Sequence, residues 1–147
     1  MAKASIATWI FQANPQEYDI QTSLGREKSE WWNLRQHADK VKTGDRVLIW
    51  ISGKKAGIYA IGEVISAPVE RLDSSKGRAY WKTEGGHQMR PRVEVRYTEV
   101  MLDRPLLKRL LEFDAALTSL SIITQPRGTN FKVTAAQWEA LENWLSH

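Results

Sequence analysis

A chain of 147 residues is long enough to bury one sizeable core without staples, and residues 1–147 are expected to form a single domain. The absence of cysteine excludes disulfide frameworks, thiol nucleophiles and thiolate metal sites, and it suits a reducing compartment. A net charge of +4 with a pI near 9.4 permits a polyanionic partner without requiring one. No long apolar run follows Lys3, so neither a signal peptide nor a spanning helix is expected, and the chain reads as a soluble cytoplasmic protein with no membrane partner.

In chain order, Ala7 to Gln12 is apolar and rich in strand formers, and Asn14-Pro15 stops it. The polar stretch Gln16 to Lys28 carries a weak helical period. Trp31 to Leu34 is expected to be extended, with a short helix from Gln36 to Val41. Thr43-Gly44-Asp45 is a turn opening a hairpin of Arg46 to Ile51 and Gly57 to Ile65, whose first strand is apolar enough to be buried on both faces. Pro68 ends the pair, and Glu70 to Pro91 is a polar insert longer than an inert connection needs. Val93 to Val100 alternates, placing Val93, Val95 and Tyr97 on a core face. Pro105 with Leu106, Leu107, Leu110 and Leu111 predicts an amphipathic helix. Phe131-Lys132-Val133 is a short strand, and Thr134-x-x-Gln137 is a capping box for a helix with Trp138, Leu141, Trp144 and Leu145 on one stripe. The order fits an α+β fold: a small, strongly bent sheet or open barrel with covering helices.

Catalytic motifs are absent from the sequence: it has no nucleophile elbow, no Walker loop and no G-x-G-x-x-G. His37, His87 and His147 are not at metal-ligand spacing with one another, and no metal site or cofactor is expected. What stands out is composition. From Lys76 to Arg96 there are six basic residues against two acidic ones, interleaved with Tyr80 and Trp81, and the chain holds seven tryptophans. Cations track phosphates while aromatic faces stack on bases, so this mixture suits an unstacked nucleic acid. Charge runs also simply solvate a surface. Trp31 and Trp32 are neighbours, so in a strand they face opposite ways and only one enters the core cleanly.

The segments "WIFQANPQEYDI", "WWNLRQHADKVKTGDRVLIWISGKKAGIYAIGEVISAP" and "QPRGTNFKVTAAQWEAL" resemble, in order and over essentially the whole chain, an EVE domain of the PUA-like superfamily, related to YTH domains. The resemblance implies a curved PUA-like barrel with a pocket for a base, often a modified one, in DNA or RNA, and does not imply catalysis. Carried over residue by residue, it makes Trp32 the stacking face, with Trp31 in reserve. Ser52, Gly53 and Lys54 stand at the pocket mouth, and Gly57 is where a base approaches backbone. Asn14 contacts a base edge or caps the next turn. Gln125, Arg127, Gly128 and Thr129 form a closing loop. The family's second aromatic wall has no match before Val93, and Trp81 is the nearest substitute.

The expected function is therefore a noncatalytic reader of a modified base, methylated or hydroxymethylated, flipped into an aromatic pocket, with Lys55, Lys76, Arg78, Lys82, Arg90 and Arg92 on phosphates. Its partners are DNA or RNA carrying that base, and a nuclease or modification-system protein acting with it. The alternatives are a reader of unmodified structured RNA and an RNA- or nucleotide-processing enzyme using His87 and Glu84.

Overall fold

A computed structural model of the chain describes residues 6–146; the stretch from Met1 to Ser5, on which the leader reading rests, and His147 lie outside the described residues. Eight strands form one mixed sheet in the order β2-β6-β4-β3-β1-β8, where β1 is Thr8–Ala13, β2 Ser29–Asn33, β3 Arg46–Ile51, β4 Gly57–Val64, β6 Arg90–Val100 and β8 Asn130–Val133. Two short strands add to it: β5 (Val69–Arg71) on β6 and β7 (Leu106–Leu107) on β4. Among the described residues only β1 and β3 pair in parallel; the other pairs are antiparallel. Register shifts at Ile49/Trp50 and Ile61/Gly62 add local twist, and the sheet curls into a half-barrel that is open between β2 and the β1–β8 side.

The apolar run of β3 is explained by two cores. Val47, Ile49 and Ile51 face inward with Trp9, Phe11, Trp32, Val93 and Val95, and α1 (Ile20–Arg26) adds Ile20 and Leu24. Leu48 and Trp50 face the other side, with Ile10, Ile58 and Phe131, under α3 (Lys108–Leu111), α4 (Ser121–Thr124) and α5 (Ala135–Leu145). Each fully buried aliphatic side chain of this kind contributes about 1.5–3 kcal/mol. The Gly44-Asp45 turn is structural: Gly44 has φ 96°, and Asp45 accepts from the Trp9 indole N–H and the Lys42 amide, both at 2.9 Å.

The capping box forms as expected, with Thr134 and Gln137 bonding reciprocally ahead of α5. Two expectations fail. No helix spans Gln36 to Val41; His37 takes φ 61°, and the Gln36 side chain accepts from the amides of Thr129 and Asn130 instead. Leu106 and Leu107 are not helical, because they pair with Ile58 and Gly57, and only Lys108–Leu111 forms a turn of helix. The long polar insert is ordered by β5, α2 (Ser75–Arg78) and a 3-10 turn at Glu84–His87. No described helix is long and apolar enough to cross a membrane.

Candidate nucleic-acid interface

The open side of the half-barrel is a cavity of about 510 Å³. It is bounded by the end of β1 (Gln12 to Asn14), by Tyr18, by Glu30 to Asn33 of β2, by Ser52 after β3, by Asp73 and Trp81 of the insert, and by the loop Pro126 to Thr129. Its size is within the roughly 300–1,000 Å³ typical of small-molecule sites.

The closing loop is pinned rather than free. The Gln12 side-chain amide donates to the carbonyls of Pro126 at 2.9 Å and Gly128 at 2.8 Å. Asn130 donates from Nδ2 to the Asn33 carbonyl at 2.9 Å and accepts from the Arg35 amide at 2.8 Å. The loop thereby bridges the two ends of the sheet.

A buried acid lies at the base of the cavity. Glu30, 6% exposed, accepts hydrogen bonds from the hydroxyls of Tyr18, Tyr97 and Ser23, the last two at 2.6 and 2.9 Å. Burial pushes its carboxyl above the ordinary value, and the three hydroxyls pull the other way. Burial and the neighbouring Glu30 charge raise the Tyr18 and Tyr97 hydroxyls well above the usual phenol range, so both remain donors. A second carboxylate, Asp73, is 3% exposed; it accepts from the Ser74 amide at 2.7 Å and the Trp81 indole at 2.8 Å.

The aromatic walls differ in freedom. Trp32 packs on Phe11 with centroids 6.1 Å apart and donates from its indole to the Tyr97 hydroxyl. Trp31 faces the other side of β2, where the Arg71 guanidinium lies 4.1 Å from its ring centroid. Trp81 meets Tyr18 edge-on at 5.2 Å.

Of the residues predicted from sequence, the cavity brings together Asn14, Trp31, Trp32, Ser52, Trp81, Arg127, Gly128 and Thr129. Asn14 spends its side-chain oxygen on the Gln16 amide, in the turn after β1. Gly53, Lys54 and Lys55 sit on the exposed β3–β4 turn and Gln125 at the end of α4, all outside the lining. Gly57 faces no cavity: a side-chain carbon there would meet the Leu106 carbonyl at 2.4 Å, so glycine permits the β4–β7 contact.

Arg92 is corrected most sharply, since it is fully buried and cannot face a phosphate. Its guanidinium donates to Asn33 Oδ1 and to the carbonyls of Arg71, Gly85 and Gln88, which braces the insert against β2. Arg78 donates to the Asp73 carbonyl, Lys82 to the Pro15 carbonyl and Arg90 to Gln88, while Lys76 lies 3.9 Å from Glu27. Of these, Lys76, Lys82 and Arg90 are exposed. His87 and Glu84, 3.4 Å apart, are on the exposed face of the insert and away from the cavity. Sequence reasoning missed Gln12, Tyr18, Glu30, Arg35 and Asp73.

Comparison of the whole chain with known structures finds the same fold in a Leishmania major protein, at 19% identity and TM-score 0.70, covering 97% of this chain and 96% of that one. A Pseudomonas putida protein aligns at 21% identity and TM-score 0.69, covering 93% of this chain and 98% of its own. Human THYN1, in complex with DNA containing 5-methylcytosine, aligns at 13% identity and TM-score 0.70, covering 96% of this chain and 98% of its own. At these identities the likeness is one of fold, the PUA-like half-barrel. No curated protein matches the chain in sequence. The EVE domain profile matches residues 7–144, nearly the full length, and the chain belongs to the EVE domain family.

Proposed function

We propose that this protein binds nucleic acid without catalysis, taking one extruded, modified base of DNA or RNA into the cavity between β2 and the Pro126 to Thr129 loop. The observation that carries the reading is the lining itself: Trp32, Trp81 and Tyr18 line one opening of about 510 Å³, bordered by Trp31 at the strand edge, together with hydrogen-bonding groups. Extruding a base costs a few kcal/mol of stacking and pairing, and aromatic faces with a bonded polar edge offset it. The lining also carries Asn14, Asn33 and Ser52, polar side chains of the kind that bond the edge of a base. A methyl group on such a base gains about 0.8 kcal/mol where it meets apolar surface. The fold shared with THYN1, whose complex contains 5-methylcytosine DNA, supports the same reading.

Arg35 and Arg127 line the cavity, and an adjoining cleft holds Arg26, Lys28 and Lys76. These cations serve the phosphates on either side of the extruded nucleotide. The test is a tryptophan-fluorescence titration with matched oligonucleotides carrying one cytosine, 5-methylcytosine, 5-hydroxymethylcytosine, adenine or N6-methyladenine, in DNA and in RNA. One modified base binding several-fold tighter, with the preference lost in Trp32→Phe, supports the reading. Equal binding of all with a steep salt slope overturns it in favour of a structured-RNA or phosphate binder.

A further inference from the structure

Glu30, Trp31, Trp32 and Asn33 are consecutive on β2, and all four border the cavity. Side chains of a strand alternate between faces, so four residues in a row can border one cavity only if it touches the backbone edge of the strand. The ladder shows which groups lie on that edge. The Tyr97 amide donates to the Lys28 carbonyl at 2.9 Å, and the Leu34 amide donates to the Pro91 carbonyl at 2.8 Å. In the β2–β6 register this makes Glu30↔Val95 and Trp32↔Val93 the hydrogen-bonded pairs, and Trp31↔Glu94 and Asn33↔Arg92 the non-bonded ones. The N–H and C=O of Trp31 and the N–H of Asn33 therefore point away from β6, toward the opening. β2 ends the sheet, and none of these three groups has a partner among the described residues. The Asn33 carbonyl is already taken by Asn130.

We infer that the free edge of β2 at Trp31 and Asn33 is a hydrogen-bonding subsite that grips the Watson–Crick edge of the extruded base. The inference rests on the base-pocket reading and adds the groups that read the base. An extended residue presents its N–H and C=O side by side, as it would to a neighbouring strand. A base presents the complement: a ring-nitrogen acceptor next to an amine donor in cytosine and adenine. A peptide strand fits poorly, because Asn130 closes the edge at Asn33 and leaves only a short run of open groups. The backbone cannot distinguish cytosine from adenine, so the side chains around the cavity supply that choice.

Two measurements test this, with a short single-stranded oligonucleotide carrying one 5-methylcytosine as the probe. In amide hydrogen exchange followed by NMR, the Trp31 and Asn33 amides are expected to exchange fast in the free protein and those of Glu30 and Trp32 on the same strand to be protected. Saturation with the oligonucleotide is expected to slow Trp31 or Asn33 by about tenfold or more. An otherwise identical oligonucleotide with pyrimidin-2-one in place of 5-methylcytosine lacks the amine and is expected to bind about five- to tenfold more weakly. Saturable binding that leaves both amides at their free exchange rates, or that tolerates loss of the amine, overturns this inference while leaving the pocket reading intact. No binding of any of these oligonucleotides overturns both.

Discussion

The Trp32 indole donates to the Tyr97 hydroxyl at 3.0 Å, and the Tyr97 hydroxyl in turn donates to Glu30 at 2.6 Å, so the wall of the cavity is tied to its buried acid through one phenol. Tyr97→Phe removes the oxygen and little volume. It leaves a buried indole N–H without an acceptor and takes one donor from Glu30, which costs about 1–3 kcal/mol. Urea unfolding is expected to show that loss as a lower midpoint with an unchanged slope. Base binding weakens in parallel, because Trp32 loses the contact that holds its ring in plane.

Glu30 makes stability depend on pH in a defined direction. Its folded-state carboxyl titrates above the ordinary value of 4.5, mainly because burial penalises the charge. In the unfolded chain the group ionises first, so the unfolded state binds fewer protons across the interval between the two values, and stability falls as pH rises through it. Glu30→Gln removes the titration. Parallel unfolding of the two proteins from pH 4 to 8 is expected to show the wild type losing stability relative to the variant above about 4.5, then levelling off beyond the folded value. A constant difference across that range would refute this account of Glu30.

These two residues also show where sequence reading stops. The β3–β4 hairpin, β6 and the capped last helix are written in local patterns, and the alternation through Val93, Val95 and Tyr97 correctly turns Tyr97 inward. Nothing local links Tyr18, Glu30, Asp73 and Tyr97, because the curl of the sheet brings them together. One sign was available: Glu30 shares its strand face with Trp32, two positions on, so an inward Trp32 implies an inward acid. The same alternation sets Arg92 opposite in phase to Val93. That face of β6 resembles solvent-facing surface until the insert folds over it, which is why a brace read as a phosphate contact. Leu106 and Leu107 misled because two leucines after a proline fit a helix start, while the vacancy beside Gly57 that recruits them is visible only in three dimensions.

The insert positions Trp81 through two glycines. A side-chain carbon at Gly85 would fall 2.3 Å from the Trp81 ring, and one at Gly86 would fall 2.6 Å from it. Gly86→Ala must therefore push the ring off Asp73 and Tyr18. The expected readout is a shift in tryptophan emission and several-fold weaker oligonucleotide binding, with global stability lowered by about 1–3 kcal/mol as in other overpacked sites. Unchanged binding would remove Trp81 from the proposed wall.

Cations that hold the fold and cations that meet phosphate separate by salt dependence. Arg92→Lys loses the planar fork that reaches three carbonyls and Asn33 at once, and is expected to cost about 1–3 kcal/mol of stability. Its effect on affinity is expected to follow that loss of order and to leave the slope of log affinity against log salt intact. Arg127→Ala lies on an exposed loop position and should change stability by no more than about 0.5 kcal/mol. It should instead flatten the salt slope by about one unit for every oligonucleotide alike, because one released counterion is lost with the contact. Titrations at several salt concentrations discriminate the two roles, since an unchanged slope in Arg127→Ala would remove that loop from the phosphate path and leave Arg35 and the cleft of Arg26 and Lys28 to carry it.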